Sequence, residues 1–343
     1  MCRGRWLAGL LPPHIRVEEE AARQHVLQLK RPVTFDEETY YPEDYETNVC
    51  PLNIHPAVKV KGVFVTINPT TTHRPGEFIM YTDGSRIDEK VGCAYVAMTH
   101  DTVNEQWKGQ LRQNNSVFQS ETVAIAKAIR YLHTHQHSHA TIKTDSLSSL
   151  YAIWNPDHPS DIIQGIQKDL RENFPYRTKL EWIKAHAGHQ GNELVDQLAK
   201  EAMTDPSSTQ ITIPWPHSFL KKTLRLKATG LWQSEWDSSA TGWRTHYFII
   251  YVDPSRNTAN TQLVRFISGH GPFPEYFHKR SISHTSQCAC GENGSPEHYL
   301  TSCPLTEGLH INLPQTNRQT FCKYMIKQRH LIKKTVQLNG QTV

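Results

Sequence analysis

Two β-branched or apolar runs, Phe78-Ile79-Met80-Tyr81 and Ala140-Thr141-Ile142-Lys143-Thr144, each lead into an aspartate, at Asp83 and at Asp145. Between them the spacing turns helical. Ser116 can cap a helix from Val117 to about His133, with Val117, Glu121, Ala124, Ala128 and Tyr131 on related faces. A strand that rejoins its sheet through a crossover helix is expected to run parallel to the strand before it. This strand–helix–strand unit makes the chain an α/β protein.

The neighbouring patterns extend it. Gly92 to Met98 and Val103 to Gly109 read as strands close behind the first, giving an antiparallel meander. Ser146 to Trp154 and Ser160 to Asn173 read as helices separated by Pro156 and Pro159. Lys179-Leu180-Glu181-Trp182-Ile183 is a fifth strand, and Gly191 to Met203 is a final helix. The expected order is βββαβααβα, a five-stranded mixed sheet with flanking helices.

Four acidic residues fall at telling places. Asp83 lies in Tyr81-Thr82-Asp83-Gly84-Ser85, Glu121 in Gln119-Ser120-Glu121-Thr122, Asp145 in Lys143-Thr144-Asp145-Ser146, and Asp196 in Asn192-Glu193-Leu194-Val195-Asp196. Singly, each has an ordinary reading: Asp-Gly suits turns, and Glu121 suits the first turns of a helix. Carboxylates that converge repel unless cations lie between them. Hard oxygen donors select Mg²⁺ or Mn²⁺, and paired ions of this kind serve phosphodiester cleavage.

In this order, with His186-Ala187-Gly188-His189 ahead of Asp196, the motifs resemble a type 1 ribonuclease H over residues 77–205. The resemblance implies the ribonuclease H-like fold, with strand ends placing Asp83 and Asp145 side by side. It implies an endoribonuclease that cuts the RNA strand of an RNA:DNA hybrid and leaves 5′-phosphate and 3′-hydroxyl ends. Asp83 would bridge two Mg²⁺ ions, for which Mn²⁺ can substitute. Asp196 would complete the nucleophile-side site, and Glu121 and Asp145 the leaving-group side. His186 would help protonation or product release. Gly84, Ser85, Ser146 and Asn192 would contact the nucleic acid. No small-molecule cofactor is implied. Between Asp145 and His186 there is room for two helices and little else, so the basic segment with which cellular relatives grip the hybrid is not expected.

Charge divides the chain. Residues 1–76 carry 9 basic and 9 acidic side chains, residues 77–206 carry 13 and 17, and residues 207–343 carry 15 and 7. The basic tail is the natural phosphate-contacting segment, for hybrid or for single-stranded RNA or DNA. Four segments are expected: a linker or upstream remnant (1–76) in extended or disordered chain, with Val63 to Ile67 as a short strand; the ribonuclease H domain (77–206); a basic Trp-rich connector (207–280) with a helix from Leu220 to Trp236; and a tail (281–343). No apolar run reaches the ~20 residues of a membrane span. The seven cysteines are odd in number and unevenly spaced. They speak for a reducing, intracellular setting, nuclear or cytoplasmic, rather than secretion.

In the tail, Cys288, Cys290, His298 and Cys303 form C-x-C-x7-H-x4-C, with Gly291, Gly294 and Pro296 at the turn between its halves. Three thiolates and an imidazole suit one structural Zn²⁺; His284 and His310 are alternative ligands. The segment resembles the Cys-Cys-His-Cys region downstream of the enzyme domains in non-LTR retrotransposon polyproteins. The chain thus reads as the C-terminal part of such a Pol protein. No Tyr/Phe-x-Asp-Asp polymerase motif is found, which leaves a non-catalytic nucleic-acid-binding remnant as the alternative. A DNA-cutting nuclease on the same fold is disfavoured by the fourth carboxylate and the His-Ala-Gly-His loop.

Overall fold

The expected strands from Phe78 onward assemble into one mixed sheet. The computed structural model describes residues 9–48, 62–68, 78–99, 102–137, 139–172, 177–255 and 261–312, with positions 55, 58, 320 and 322 besides. Strands β4 (Phe78–Ile87), β5 (Lys90–Thr99) and β6 (Thr102–Leu111) form the antiparallel meander. β7 (His139–Thr144) lies parallel to β4, and β8 (Arg177–Trp182) parallel to β7.

Among the described residues the sheet has seven strands, not five: with β3 (Phe64–Thr66) and β9 (Thr209–Ile211) at its edges, the order is β3-β8-β7-β4-β5-β6-β9. The extra pair are three-residue edge strands. β3, within the run expected as a short strand, pairs with β8, and β9 pairs with β6. A segment of three residues whose partner is remote in sequence carries too little periodic signal to be assigned to a sheet.

Helices cover both faces. α2 (Val117–Thr134), α3 (Leu147–Trp154) and α4 (Asp161–Glu172) bury Ile125, Ile129, Leu150, Ile153, Ile163 and Leu170 in a core with Phe78, Met80 and Ile142. α5 (Gln190–Glu201) packs Val195, Leu198 and Ala199 against Ala94, Val96 and Met98. Within one strand, alternate residues therefore face different helices, as the two-residue period requires.

The start of α2 is fixed by a capping box. The Gln119 amide donates to Ser116 Oγ at 3.2 Å, and the Ser116 amide donates to Gln119 Oε1 at 3.0 Å. The Gln119 side chain also donates to Glu46 Oε1 and to the Pro214 carbonyl. Losing such a cap costs roughly 0.5–2 kcal/mol; here it also anchors the turn that carries Glu121.

Within 1–76, the described residues 9–48 depart from the expected extended or disordered chain. Pro13–Leu27 forms helix α1, and Val33–Phe35 and Glu38–Tyr40 form the hairpin β1–β2. Ile15, Ala22 and Val26 on α1 are buried. A charged residue, Glu19, stands in this buried stripe and interrupts the apolar period that would mark the helix in the sequence. Glu19 is itself buried, paired with Arg16 at 2.8 Å and Arg225 at 3.1 Å.

Two compact units result. One comprises Arg23–Thr34 and Thr39–Thr223; the other comprises Met1–Ala22, Phe35–Glu38 and Leu224–Val343. The expected Leu220–Trp236 helix is α6 (His217–Ser238). Its buried stripe is Leu220, Leu224, Ala228, Trp232 and Trp236, one residue per turn. Its basic side chains are partly neutralised: Lys227 lies 3.1 Å from Glu38 and 3.7 Å from Asp36, and Arg225 pairs with Glu19. Among the described residues four short α-helices follow: α7 (Trp243–Phe248), α8 (Thr261–Ser268), α9 (Pro274–Lys279) and α10 (Pro296–Thr301). Phe248, Phe266, Ile267, Phe273, Leu300 and the thiols of Cys288 and Cys303 share their core. No described helix is long and apolar enough to cross a membrane.

Candidate active site

Parallel register places two of the four acids. Thr82 of β4 pairs with Thr144 of β7, so the next residues, Asp83 and Asp145, emerge together. Glu121 reaches them from α2. One carboxylate oxygen from each of Asp83, Glu121 and Asp145 lies within 4.8 Å of the others.

Two glycines allow this convergence. A Cβ on Gly84 would stand 2.4 Å from Ser120 Oγ and 2.5 Å from the Glu121 amide nitrogen, so α2 can approach β4 only at a glycine. A Cβ on Gly191 would stand 2.3 Å from the Tyr81 ring, so α5 meets the sheet in the same way. That approach brings Asn192 Nδ2 to within 3.3 Å of Asp145 Oδ2, to which it donates. Behind Asp145, the Trp182 indole donates to its carbonyl at 3.1 Å, and the Ile183 amide donates to the Thr144 carbonyl at 2.9 Å.

The electrostatics mark a strained anionic site. Asp83 and Glu121 are 7% and 6% exposed, so both carboxyls have lost most of their solvation. Asp83 is pushed up to about 6, by burial first and then by the charge of Asp145, against a hydrogen bond from the Gly84 amide; Asp196 adds a smaller push. Burial, then Asp83 and Asp145, hold Glu121 well above the usual carboxylate range. The charges that raise this pair are carboxylates: Asp145 and Asp196 act on Asp83, and Asp83 and Asp145 act on Glu121. At 4.8 Å two such charges repel by about 3.5 kcal/mol at an effective dielectric near 20. Glu121 Oε2 is buried without a hydrogen-bond partner, an acceptor that a cation would satisfy. Three converging hard oxygens fit a divalent ion such as Mg²⁺.

The other expected residues take varied places. Asp196 lies outside the group of three; its Oδ2 accepts from Lys200 Nζ at 2.7 Å, and its charge still reaches Asp83. His186 sits on the exposed loop before α5 with φ at +52°, making no side-chain hydrogen bond to a described residue. Ser85 is half-buried on β4, opposite Gly92. Ser146 precedes α3, its hydroxyl 2.7 Å from that of Ser149. Gly84 and Asn192, expected to face nucleic acid, are both buried, and their visible role is to position Glu121 and Asp145.

A second metal-competent cluster is separate from the first. Cys288, Cys290, His298 and Cys303 each offer a ligand atom within 4.8 Å of the others. Cys288 and Cys303 sulfurs are 3.8 Å apart, Cys303 and Cys290 sulfurs 4.0 Å, and Cys290 Sγ lies 3.2 Å from His298 Nε2. Tetrahedral Zn–S bonds of about 2.3 Å give S···S edges of about 3.8 Å. The Cys-x-Cys turn is closed by Cys288 N–H donating to the Glu292 carbonyl at 2.7 Å, with Gly291 at φ +96°. Burial opposes a thiolate at Cys288, but donors led by the Cys290 amide and including the Tyr299 hydroxyl outweigh it and bring Cys288 down to about 6. His298 Nδ1 meets Ser302 Oγ at 3.2 Å, which leaves Nε2 for the cluster. His310 instead contacts the Cys303 carbonyl at 2.9 Å, and His284 is exposed outside the cluster. Tyr299 and Ser302 were not singled out in the sequence; Tyr299 lies on α10 and Ser302 directly follows it, and only packing brings them to the cluster.

Comparison with known proteins agrees with this geometry. The family model for RNase H matches residues 75–204. A retrovirus-related Pol polyprotein from the type-1 retrotransposable element R1 of Bradysia coprophila is 33% identical over 113 residues, covering 31% of this chain and 11% of that protein. A putative 115 kDa protein in the type-1 retrotransposable element R1DM of Drosophila melanogaster is 40% identical over 82 residues, 22% of this chain and 8% of that protein. A ribonuclease H of Vibrio cholerae is 34% identical over 56 residues, 16% of this chain and 34% of that enzyme. The chain thus spans about a tenth of the length of the retrotransposon relatives it matches. Residues 75–204 are an RNase H domain, in a chain whose homologues are R1-type retrotransposon Pol proteins.

Proposed function

We propose that the chain is an endoribonuclease that hydrolyses the RNA strand of RNA:DNA hybrids during retrotransposon reverse transcription, leaving 5′-phosphate and 3′-hydroxyl ends. One observation carries this reading: Asp83, Glu121 and Asp145 converge at the ends of adjacent parallel strands, inside the span that matches RNase H. These three, joined by Asp196, would hold two Mg²⁺ or Mn²⁺ ions. When bound, such ions supply Lewis acidity, acidifying a water and neutralising charge at the phosphate and the departing oxygen.

The chain's own residues do the rest. Asp83 is the most central acid, with all three partners acting on it. Asn192 orients Asp145 by donating to it, and the close approach at Gly84 sets where Glu121 stands. Asp196, which accepts from Lys200 and whose charge reaches Asp83, would be the fourth carboxylate to hold the ions. His186, on its exposed loop, delivers a proton to the leaving 3′ oxygen. Ser85 and Ser146 lie next in sequence to Gly84 and Asp145 and contact the strand backbone. The Cys288-Cys290-His298-Cys303 cluster binds one structural Zn²⁺, and the basic C-terminal segment adds affinity for nucleic acid.

The test is Asp83→Asn, which removes a charge but keeps the shape. It is expected to abolish Mg²⁺-dependent cutting of a hybrid while the circular dichroism spectrum is unchanged. Full activity in that variant would refute the assignment. Binding without turnover by the parent chain would point instead to a non-catalytic binding protein.

A further inference from the structure

The C-terminal unit holds a cavity of about 430 Å³ that takes no part in either metal cluster. Its walls come from the start of α7, the turn after α8, helix α9 and the start of α10. The volume falls in the range of small-ligand sites, roughly 300–1,000 Å³.

Three features of its lining say what it would take. First, Trp243 is 63% exposed on the wall, whereas Trp232 and Trp236 are buried. It offers an aromatic face that the core does not use. Second, Lys279 and Arg280 are exposed and form no ion pair among the described residues. They contrast with Arg225 and Lys227, which are paired within the unit. Third, Glu275 places an exposed carboxylate on the rim, an acceptor for an amino group.

The walls are held firmly. Arg244 donates twice to the Phe266 carbonyl, at 3.3 and 2.9 Å, and pairs with Glu297. Glu297 directly precedes His298 of the Cys₃His cluster, so the cluster and the cavity share helix α10. Arg244 is thereby committed to structure, and Lys279 and Arg280 remain as the cations for a ligand.

An aromatic face, two cations outside any described ion pair (Arg280 lies 5.8 Å over the Tyr276 ring of the same wall) and an acceptor on one concave surface match one unstacked nucleotide. A lone phosphate would leave Trp243 unused. A duplex keeps its base faces stacked and cannot offer one. We infer that this cavity binds a nucleotide unit of single-stranded nucleic acid, its base against Trp243 and its phosphates toward Lys279 and Arg280. The inference rests on the reading of the C-terminal segment as a nucleic-acid contact and gives that contact a location.

The experiment is fluorescence anisotropy of a labelled oligo-dT strand with the full, zinc-loaded chain in buffer without added Mg²⁺. Oligo-dT has no 2′-hydroxyl and is no ribonuclease substrate, so the outcome is independent of cleavage. Trp243→Ala is expected to weaken binding by about 5- to 150-fold. Lys279→Ala and Arg280→Ala should each flatten the salt dependence by about 0.7 in log–log slope. Arg265→Ala, an exposed arginine outside the lining, serves as the control of equal charge and should change affinity by less than either. Zinc content and melting temperature establish that each variant is folded. Tight binding by the parent, with Trp243→Ala and Lys279→Ala no weaker than Arg265→Ala, would overturn the cavity while leaving the segment's role intact. No binding by the parent would overturn both. Displacement of the strand by free mononucleotide at equal concentration would also overturn it, by assigning the cavity to a small ligand.

Discussion

Adding one methyl group, Gly84→Ala, should separate the fold from the site. The new Cβ would meet Ser120 Oγ at 2.4 Å, the Glu121 amide nitrogen at 2.5 Å and the Ser120 carbonyl carbon at 2.8 Å. Two of these are backbone atoms of α2, so no rotamer change relieves the contact. Restoring 3.0 Å to the Glu121 nitrogen requires the helix turn to move by about 0.5 Å, and ordinary contact requires more. Overpacking of this kind costs about 1–3 kcal/mol, or roughly 2–12 °C in melting temperature for a domain of this size. The displaced turn carries Glu121 and its unsatisfied Oε2. A misplacement approaching 1 Å at a reacting centre can cost about 100-fold. The expected result is therefore a folded variant, melting somewhat lower, whose hybrid cleavage rate falls by about 10- to 100-fold and whose Mg²⁺ requirement rises. Steady-state kinetics across a Mg²⁺ titration, with a thermal melt, would measure all three. Cleavage within twofold of the parent, at an unchanged melting temperature, would refute the claim that this contact positions Glu121.

Three further outcomes follow from the geometry. Asp83 sits at about 6 against an ordinary 3.8, so the proton is favoured in the folded chain; that stability is complete below about pH 4 and is lost as pH rises through 6, a span worth about 3 kcal/mol. Without added divalent ion, Asp83→Asn should therefore melt higher than the parent at pH 7.5 and equal to it near pH 4, and a difference that ignores pH would contradict this. Asn192→Ala removes the donor to Asp145 and should lower kcat by about tenfold with little change in KM, whereas a KM effect alone would make Asn192 a strand contact. Cys303→Ser should take zinc content, read by elemental analysis, from about one per chain to near none and unfold the C-terminal core, since that sulfur is fully buried among Phe266, Tyr299 and Leu300.

Much of the central architecture was legible because local signals and global fold agree there. Apolar runs of strand length led into Asp83 and Asp145, and Ser116 marked the start of α2, to which the structure adds Gln119 as its capping-box partner. The edge strands β3 and β9 were hard to place because three residues carry no period of their own. Helix α1 was hidden because a charged residue, Glu19, sits in its buried stripe, and one of the two partners of Glu19, Arg225, lies over 200 positions away. The cluster residues were readable by type and spacing, but their division of labour was not. Gly84 and Asn192 are expected to contact nucleic acid; the structure adds that Gly84 lets α2 approach β4 and that Asn192 donates to Asp145, neither of which spacing alone reveals. Trp243 and Trp236 look alike in sequence; only packing shows that one is core and the other an open face.

The most direct test is cleavage of a hybrid with a labelled RNA strand by the purified chain in Mg²⁺, set beside duplex RNA and duplex DNA. Metal-dependent cutting confined to the RNA of the hybrid, with 5′-phosphate products and none from Glu121→Gln, is the predicted result. A folded, zinc-loaded chain that leaves the hybrid intact in both Mg²⁺ and Mn²⁺ would contradict it.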